Sequence, residues 1–173
     1  SQYPHRFVLP RDDAFGIAVY SKLPLENAKD VYYGGSEVPT ITGTLKTKSG
    51  EVLIYATHPL PPGKPDYFAG RNEHLKLMAQ ALAKQKGRIV VIGDLNVTPW
   101  SPYYRDFVAE TGLLNAKQGF GILPSWPTIL PPLMIPIDHL LYSPGMTVLD
   151  CRTGLPTGSD HLPLVVELSV AVK

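Results

Sequence analysis

A carboxylate and an amide stand two residues apart in Gly93-Asp94-Leu95-Asn96, and a carboxylate and an imidazole stand side by side in Ser159-Asp160-His161. The first pair suits activation of a water while a phosphoryl oxygen is held. In the second, an imidazole titrating near neutrality is a natural proton-transfer group, and a carboxylate partner would orient it and raise its pKa. Asp138, in Ile137-Asp138-His139, is the candidate partner, because an Asp held against a His fixes the ring's tautomer. His58 joins the set through Thr57-His58-Pro59, where Pro59 forces extended backbone that presents the imidazole at the same rim as Asp94. Each feature alone has a plainer counterpart. A Gly-Asp-x-Asn can be an Asx-rich turn, and a strand-end histidine is commonly a hydrogen-bonded structural residue, the reading given to His5, His74 and His139. Asn96-Val97-Thr98 also matches a glycosylation acceptor, but a glycan there would cover the site.

These side chains need a rigid frame, and the sequence supplies one. Its 18 prolines and 15 glycines cut the chain into short segments, which favours many strands over a helical bundle. Strands are predicted at Phe15 to Ser21, Thr40 to Thr47, Glu51 to His58, Arg88 to Gly93, Ile137 to Tyr142, Met146 to Arg152 and Leu162 to Val170. Lys48-Ser49-Gly50 closes a hairpin between the second and third. Ile89-Val90-Val91-Ile92 is apolar without alternation, so that strand belongs in the middle of a sheet. A helix is predicted over Gly70 to Lys86, where Leu75, Met78, Ala79 and Leu82 recur at spacings of three and four, crossing between two strands. A second runs from Pro102 to Glu110, with Ser101 as N-cap and Gly112 as its stop. The chemistry-bearing residues thus fall at strand ends, where loops hold side chains against a scaffold.

Size and composition narrow the field. The 173 residues suffice for one domain and are too few for two ordinary ones, and 44% hydrophobic residues can build a core. Lys and Arg total 16 against 15 Asp and Glu, so no global field gathers a polyanion and any preference for phosphate must be local. Cys151 has no partner for a disulfide or a metal. The longest apolar run, Ile129 to Ile137, is short and interrupted by prolines, which excludes a spanning helix. The first residues lack a secretory signal pattern, and the sequence sets no cellular compartment.

With these residues in view, the chain resembles the endonuclease/exonuclease/phosphatase superfamily, the DNase-I-like fold. Phe15-Gly16-Ile17-Ala18-Val19-Tyr20-Ser21 looks like the family's strand ending in Ser, Thr57-His58-Pro59 like its central histidine, and Gly93-Asp94-Leu95-Asn96 like its Gly-Asp-Phe-Asn. Ile137-Asp138-His139 and Ser159-Asp160-His161 match its last two blocks. Five blocks in order are far less probable by chance than any one. Thr57-His58-Pro59-Leu60-Pro61-Pro62, Thr98-Pro99-Trp100-Ser101 and Ser125-Trp126-Pro127 look closest to a bacterial branch whose members often carry membrane helices ahead of the catalytic domain, which implies a tether in a longer protein.

The resemblance implies an α/β (α+β) fold, a two-layer β-sandwich flanked by helices, and a divalent-metal-dependent phosphoesterase. Asp94 would assist or activate the attacking water, Asn96 contact the phosphoryl group and His58 donate to it. Asp160 would lie at the metal, and His161, oriented by Asp138, would transfer a proton or bind phosphate. Oxygen ligands favour Mg²⁺ or Mn²⁺. The substrate would be nucleic acid or a small or lipid-linked phosphoester. Arg71 is a candidate phosphate clamp and Trp100 a stacking surface, with Tyr103, Tyr104 and Arg105 nearby. Pro124 to Pro136 is read as a loop that packs on the domain, lines the pocket or leans on a membrane surface.

The family's strands bearing an Asn and the Glu that serves as principal metal ligand have no counterpart before Phe15. Glu26 and Glu37 follow that block in a loop and would violate the order of the fold. The expectation is therefore an N-terminally truncated domain, its C-terminal two-thirds or so, with feeble metal binding and turnover. Such a chain should self-associate through an exposed sheet edge. The competing reading is a catalytically incompetent binding or scaffold module of the same fold.

Overall fold

The unbroken run Ile89-Val90-Val91-Ile92 lies where such a run must, inside a sheet covered on both faces. A computed structural model of the chain describes residues 2–170. The strand carrying the run, β6 (Arg88–Asp94), belongs to a six-stranded mixed sheet. Its other members are β3 (Leu25–Tyr32), β4 (Pro39–Thr47), β5 (Gly50–Thr57), β7 (Leu114–Asn115) and β8 (Asp138–Tyr142), in the order β3-β4-β5-β6-β8-β7. Two hairpins lie outside it, β1 (His5–Leu9) with β2 (Ile17–Ser21), and β9 (Met146–Thr153) with β10 (Leu164–Val170).

Local chemistry accounts for these elements. β4 and β5 are antiparallel and turn at Gly50, whose φ of 112° favours glycine. Among the described residues the only parallel pairing is β5 with β6, and α1 (Pro65–Leu82) crosses between them as expected. Arg71, His74, Leu75, Met78, Ala79 and Leu82 form its buried face. Of these, Leu75, Met78, Ala79 and Leu82 pack with Val91, Leu95, Leu141 and the α2 (Pro102–Thr111) residues Tyr104 and Phe107 into the main core. The opposite sheet face, Val52, Ile54 and Val90, is covered from β9 and β10 by Met146, Leu168 and Val170. The fold is thus α/β, with two β layers and helices on the outer face of the larger one.

Several boundaries differ from expectation. α1 begins at Pro65, five residues before the predicted Gly70, because Pro at the first helical position is compatible with a helix start and Gly70 sits in the interior. Its end falls at Leu82, short of Lys86. Three strands went unpredicted. β1 is short and bounded by prolines, β7 has two residues, and β3 is a polar edge strand with a register shift at Asn27 (φ 52°). Glu26 therefore lies in a strand, paired with Lys46 at 2.8 Å, rather than in a loop. Among the described residues no helix is long and apolar enough to cross a membrane.

Candidate active site

Four neighbouring strands of the large sheet end on one side: β5, then β6 parallel to it, then β8 antiparallel, then β7. His58 follows β5, Asp94 ends β6 and Asp138 opens β8, with Asp94 and Asp138 direct register partners. The ends of β5 and β6 close on each other because residue 93 is glycine. Its φ is 138°, and a Cβ there would lie 2.0 Å from the Thr57 carbonyl oxygen.

His161 reaches this row from the loop before β10. Its Nδ1 donates to Asp138 Oδ2 at 2.8 Å, and its Nε2 stands 3.8 Å from Asp94 Oδ2. His58 Nε2 approaches the same Asp94 oxygen at 3.6 Å. One carboxylate oxygen therefore faces two imidazoles, one of them held by a second carboxylate. Asp94 Oδ1 accepts the Asn96 backbone N–H at 2.7 Å. Burial pushes the Asp94 carboxyl up to about 7, opposed by that hydrogen bond, raised further by Asp138 and Asp160, and lowered by His161. His58 is displaced downward by burial and by His161, against the pull of Asp138, which favours its neutral ring.

Asn96 takes a left-handed conformation (φ 51°) that its type tolerates, and its amide donates to the Pro59 carbonyl at 2.9 Å. It ties the His58 rim to the Asp94 turn. Arg71, read from sequence as a phosphate clamp, serves the same turn. The side chain is only 3% exposed, flanked by Phe68 and Tyr103, and its Nη1 donates to the Asn96 carbonyl. A guanidinium so engaged is a brace for backbone rather than a surface clamp.

The Asp160 carboxylate accepts the Trp126 indole N–H at 3.2 Å. Thr128 donates from its backbone to the Asp160 carbonyl at 2.9 Å, and the Leu162 N–H to the Ser125 carbonyl at 2.8 Å. Ser125 Oγ, fully buried, accepts the Asp138 N–H at 3.4 Å. The Pro124 to Pro136 segment therefore packs on the domain and stitches the 159–162 loop to the start of β8. Trp100 stands apart from the row, 59% exposed, beside a cavity of about 380 Å³ that Pro136 and Lys117 also line. A cleft of about 1160 Å³ runs along α1 past Phe15 and Tyr67, and none of Asp94, Asp138 and His161 lines it. His74 and His139 are structural: His74 Nε2 meets the Thr57 hydroxyl at 3.0 Å, and His139 Nε2 donates to the Val97 carbonyl at 2.8 Å. Lys117, which the sequence did not single out, is buried just past β7. A lysine following a two-residue strand gives no sequence signal.

The carboxylate oxygens are the hard donors that Mg²⁺ or Mn²⁺ prefers. Yet among the described residues no three His, Cys, Asp or Glu side chains converge to hold an ion. An ion would thus need water and substrate oxygens, a mode in which Mg²⁺ is often bound through one or two carboxylates.

The sequence profile described as the Endonuclease/Exonuclease/phosphatase family matches residues 2–161. Comparison with curated protein sequences returns no match. Among solved structures, the chain is similar to an endonuclease/exonuclease/phosphatase from Beutenbergia cavernae DSM 12333 (TM-score 0.78, 23% identity), covering 97% of this chain and 54% of that one. An AP endonuclease from Archaeoglobus fulgidus aligns with TM-score 0.78 and 17% identity over 95% of this chain and 79% of its own. The 3′ phosphatase NExo from Neisseria, bound to product DNA hairpin, aligns with TM-score 0.73 and 16% identity over 95% and 79%. The chain spans about half the length of the Beutenbergia protein.

Proposed function

The chain belongs to the Endonuclease/Exonuclease/phosphatase family, and from that premise we propose that it hydrolyses a phosphoester through the His58, Asp94, Asp138 and His161 row. The observation that carries this reading is the continuous contact from Asp138 to His161 at 2.8 Å and from Asp94 to both imidazoles within 3.8 Å. Asp94, pushed up to about 7, is matched to accept a proton from water near neutral pH. Asp138 holds the Nδ1–H of His161, which leaves Nε2 to take or return a proton at the reacting phosphoester. Neutral His58 donates its Nε2–H to a phosphoryl oxygen, and Asn96 fixes the rim between them and offers its remaining amide N–H. Mg²⁺ or Mn²⁺, held partly by Asp160, would neutralise charge on the phosphoryl group when bound.

Relatives of the same fold support a substrate class to try first. An AP endonuclease and a 3′ phosphatase with a DNA hairpin align along most of this chain, and Trp100 offers an exposed ring for a base. Nucleic acid is the first substrate to try, ahead of small or lipid-linked phosphoesters. The second reading, a binding module that has kept the fold, is favoured by the lack of three converging ligand side chains among the described residues. Assay with nicked and abasic DNA, RNA and bis(p-nitrophenyl) phosphate, with Mg²⁺, with Mn²⁺ and with chelator, separates the two. Metal-dependent turnover lost in His161→Ala supports the hydrolase, and DNA binding without turnover supports the module.

A further inference from the structure

We infer that Lys117 is a positioning residue of this site: its buried ammonium steadies the Asp138 carboxylate, and through it the His161 imidazole, from the strand next to β8. The inference rests on the hydrolytic reading above. The sheet order β5-β6-β8-β7 brings His58, Asp94, Asp138 and Lys117 to one end in that sequence, each contributed by its own strand terminus. The Ala116 N–H donates to the Leu140 carbonyl at 3.0 Å, and Asn115 Oδ1 accepts the Lys117 N–H at 3.0 Å. Lys117 therefore leaves the ladder beside the first residues of β8.

The side chain is only 4% exposed, and its Nζ, sealed from solvent, has no hydrogen-bond partner. An ammonium in that setting is retained only where nearby charge compensates its loss of water. Asp138 attracts it most, with a lesser pull from Asp94, while the Cys151 thiol, which burial pushes up, adds no charge at neutral pH. Burial draws Lys117 down to about 8 against those attractions, so it stays mainly protonated at neutral pH. His139, the other titratable group facing it, is kept neutral by burial and by the lysine itself.

The arrangement has a physical purpose. Asp94 and Asp138 are register partners, and like charges directly opposite each other repel. Lys117 follows β7, which lies on the other side of β8 from β6, and its attraction for Asp138 opposes that repulsion. Asp138 is thereby held aligned to accept the Nδ1–H of His161. Lys117 itself touches neither His161 nor the reacting atoms, so its effect passes through Asp138.

The test compares Lys117→Met and Lys117→Arg with the parent protein. One readout is steady-state hydrolysis of bis(p-nitrophenyl) phosphate with Mg²⁺, and the other is the downfield proton resonance of the His161 Nδ1–H at one fixed pH. Lys117→Met is expected to lower kcat roughly 10- to 100-fold, the range typical of partners behind a reacting group, with little change in KM. The His161 resonance should broaden or vanish in that variant, and Lys117→Arg should restore most of both. Parent protein without turnover would sink the hydrolytic reading, and the resonance alone would then decide for or against Lys117. A Met variant that folds and keeps both kcat and the resonance overturns the proposal. Should the Met variant fail to fold, Lys117→Gln takes its place under the same two readouts.

Discussion

Asp94 is a carboxyl that burial raises from 3.8 to about 7. A group whose pKa is higher in the folded than in the unfolded chain favours the fold in acid, and that favour is lost as pH rises from about 4 through about 7. Asp94→Asn keeps an oxygen for the Asn96 N–H and removes the titration. It should match the parent in stability near pH 4 and exceed it above pH 7 by on the order of a few kcal/mol, while hydrolysis is lost. Thermal melts at pH 4, 6 and 8 read this directly, and a stability difference that ignores pH would rule it out. His161→Ala should leave the melt nearly unchanged and lower kcat by roughly 10²- to 10⁴-fold, the usual worth of a positioned proton-transfer group. A fold-wide loss of stability in that variant would show that His161 is structural instead. That Asp94, Asn96, Asp138 and His161 belong at one rim was legible from residue types and spacing, and the structure brings them together. Arg71 misled because a guanidinium near a phosphate site and one braced against a carbonyl look alike in sequence, and only burial separates them.

Among the elements, the ends of β5 and β6 set how close His58 can come to Asp94, and Gly93 sets how close those ends can come to each other. In Gly93→Ala the new methyl would meet the Thr57 carbonyl oxygen, so the strands must part. The expected loss is about 3 kcal/mol or more of stability, with activity falling further than stability explains. Chemical denaturation alongside kinetics checks it; a folded, fully active Ala variant would mean that the ladder absorbs the clash. β6, α1 and the β4-β5 turn could be read because buried runs, helical spacing and hairpin glycine are local signals. β3 could not, since its Glu26, Lys29 and Asp30 suit an exposed edge as well as they suit a loop. The stitching of Trp126 to Asp160 and of Ser125 to Asp138 was also hidden, because it joins segments far apart in sequence.

For the whole molecule, open edges are the feature with consequences beyond the site. Among the described residues β3 pairs only with β4, and each small hairpin pairs only within itself. Backbone groups along such edges accept a strand from another chain, and the protein is expected to self-associate with rising concentration. Sedimentation velocity over a hundredfold concentration range would show it, and a constant monomer would dismiss it. The placement of His161 carries a different consequence. Three of the row's members are fastened to the large sheet, whereas His161 is delivered by the loop between β9 and β10, fixed by Ser125, Trp126, Thr128 and the Asp138 bond. That loop can open while the sheet stays closed, because the free energies of local and global opening are separate. Heating should therefore silence the protein before it melts. Amide exchange in residues 159–162 should outpace exchange in β6, and activity should fade reversibly at temperatures where the calorimetric transition has yet to begin.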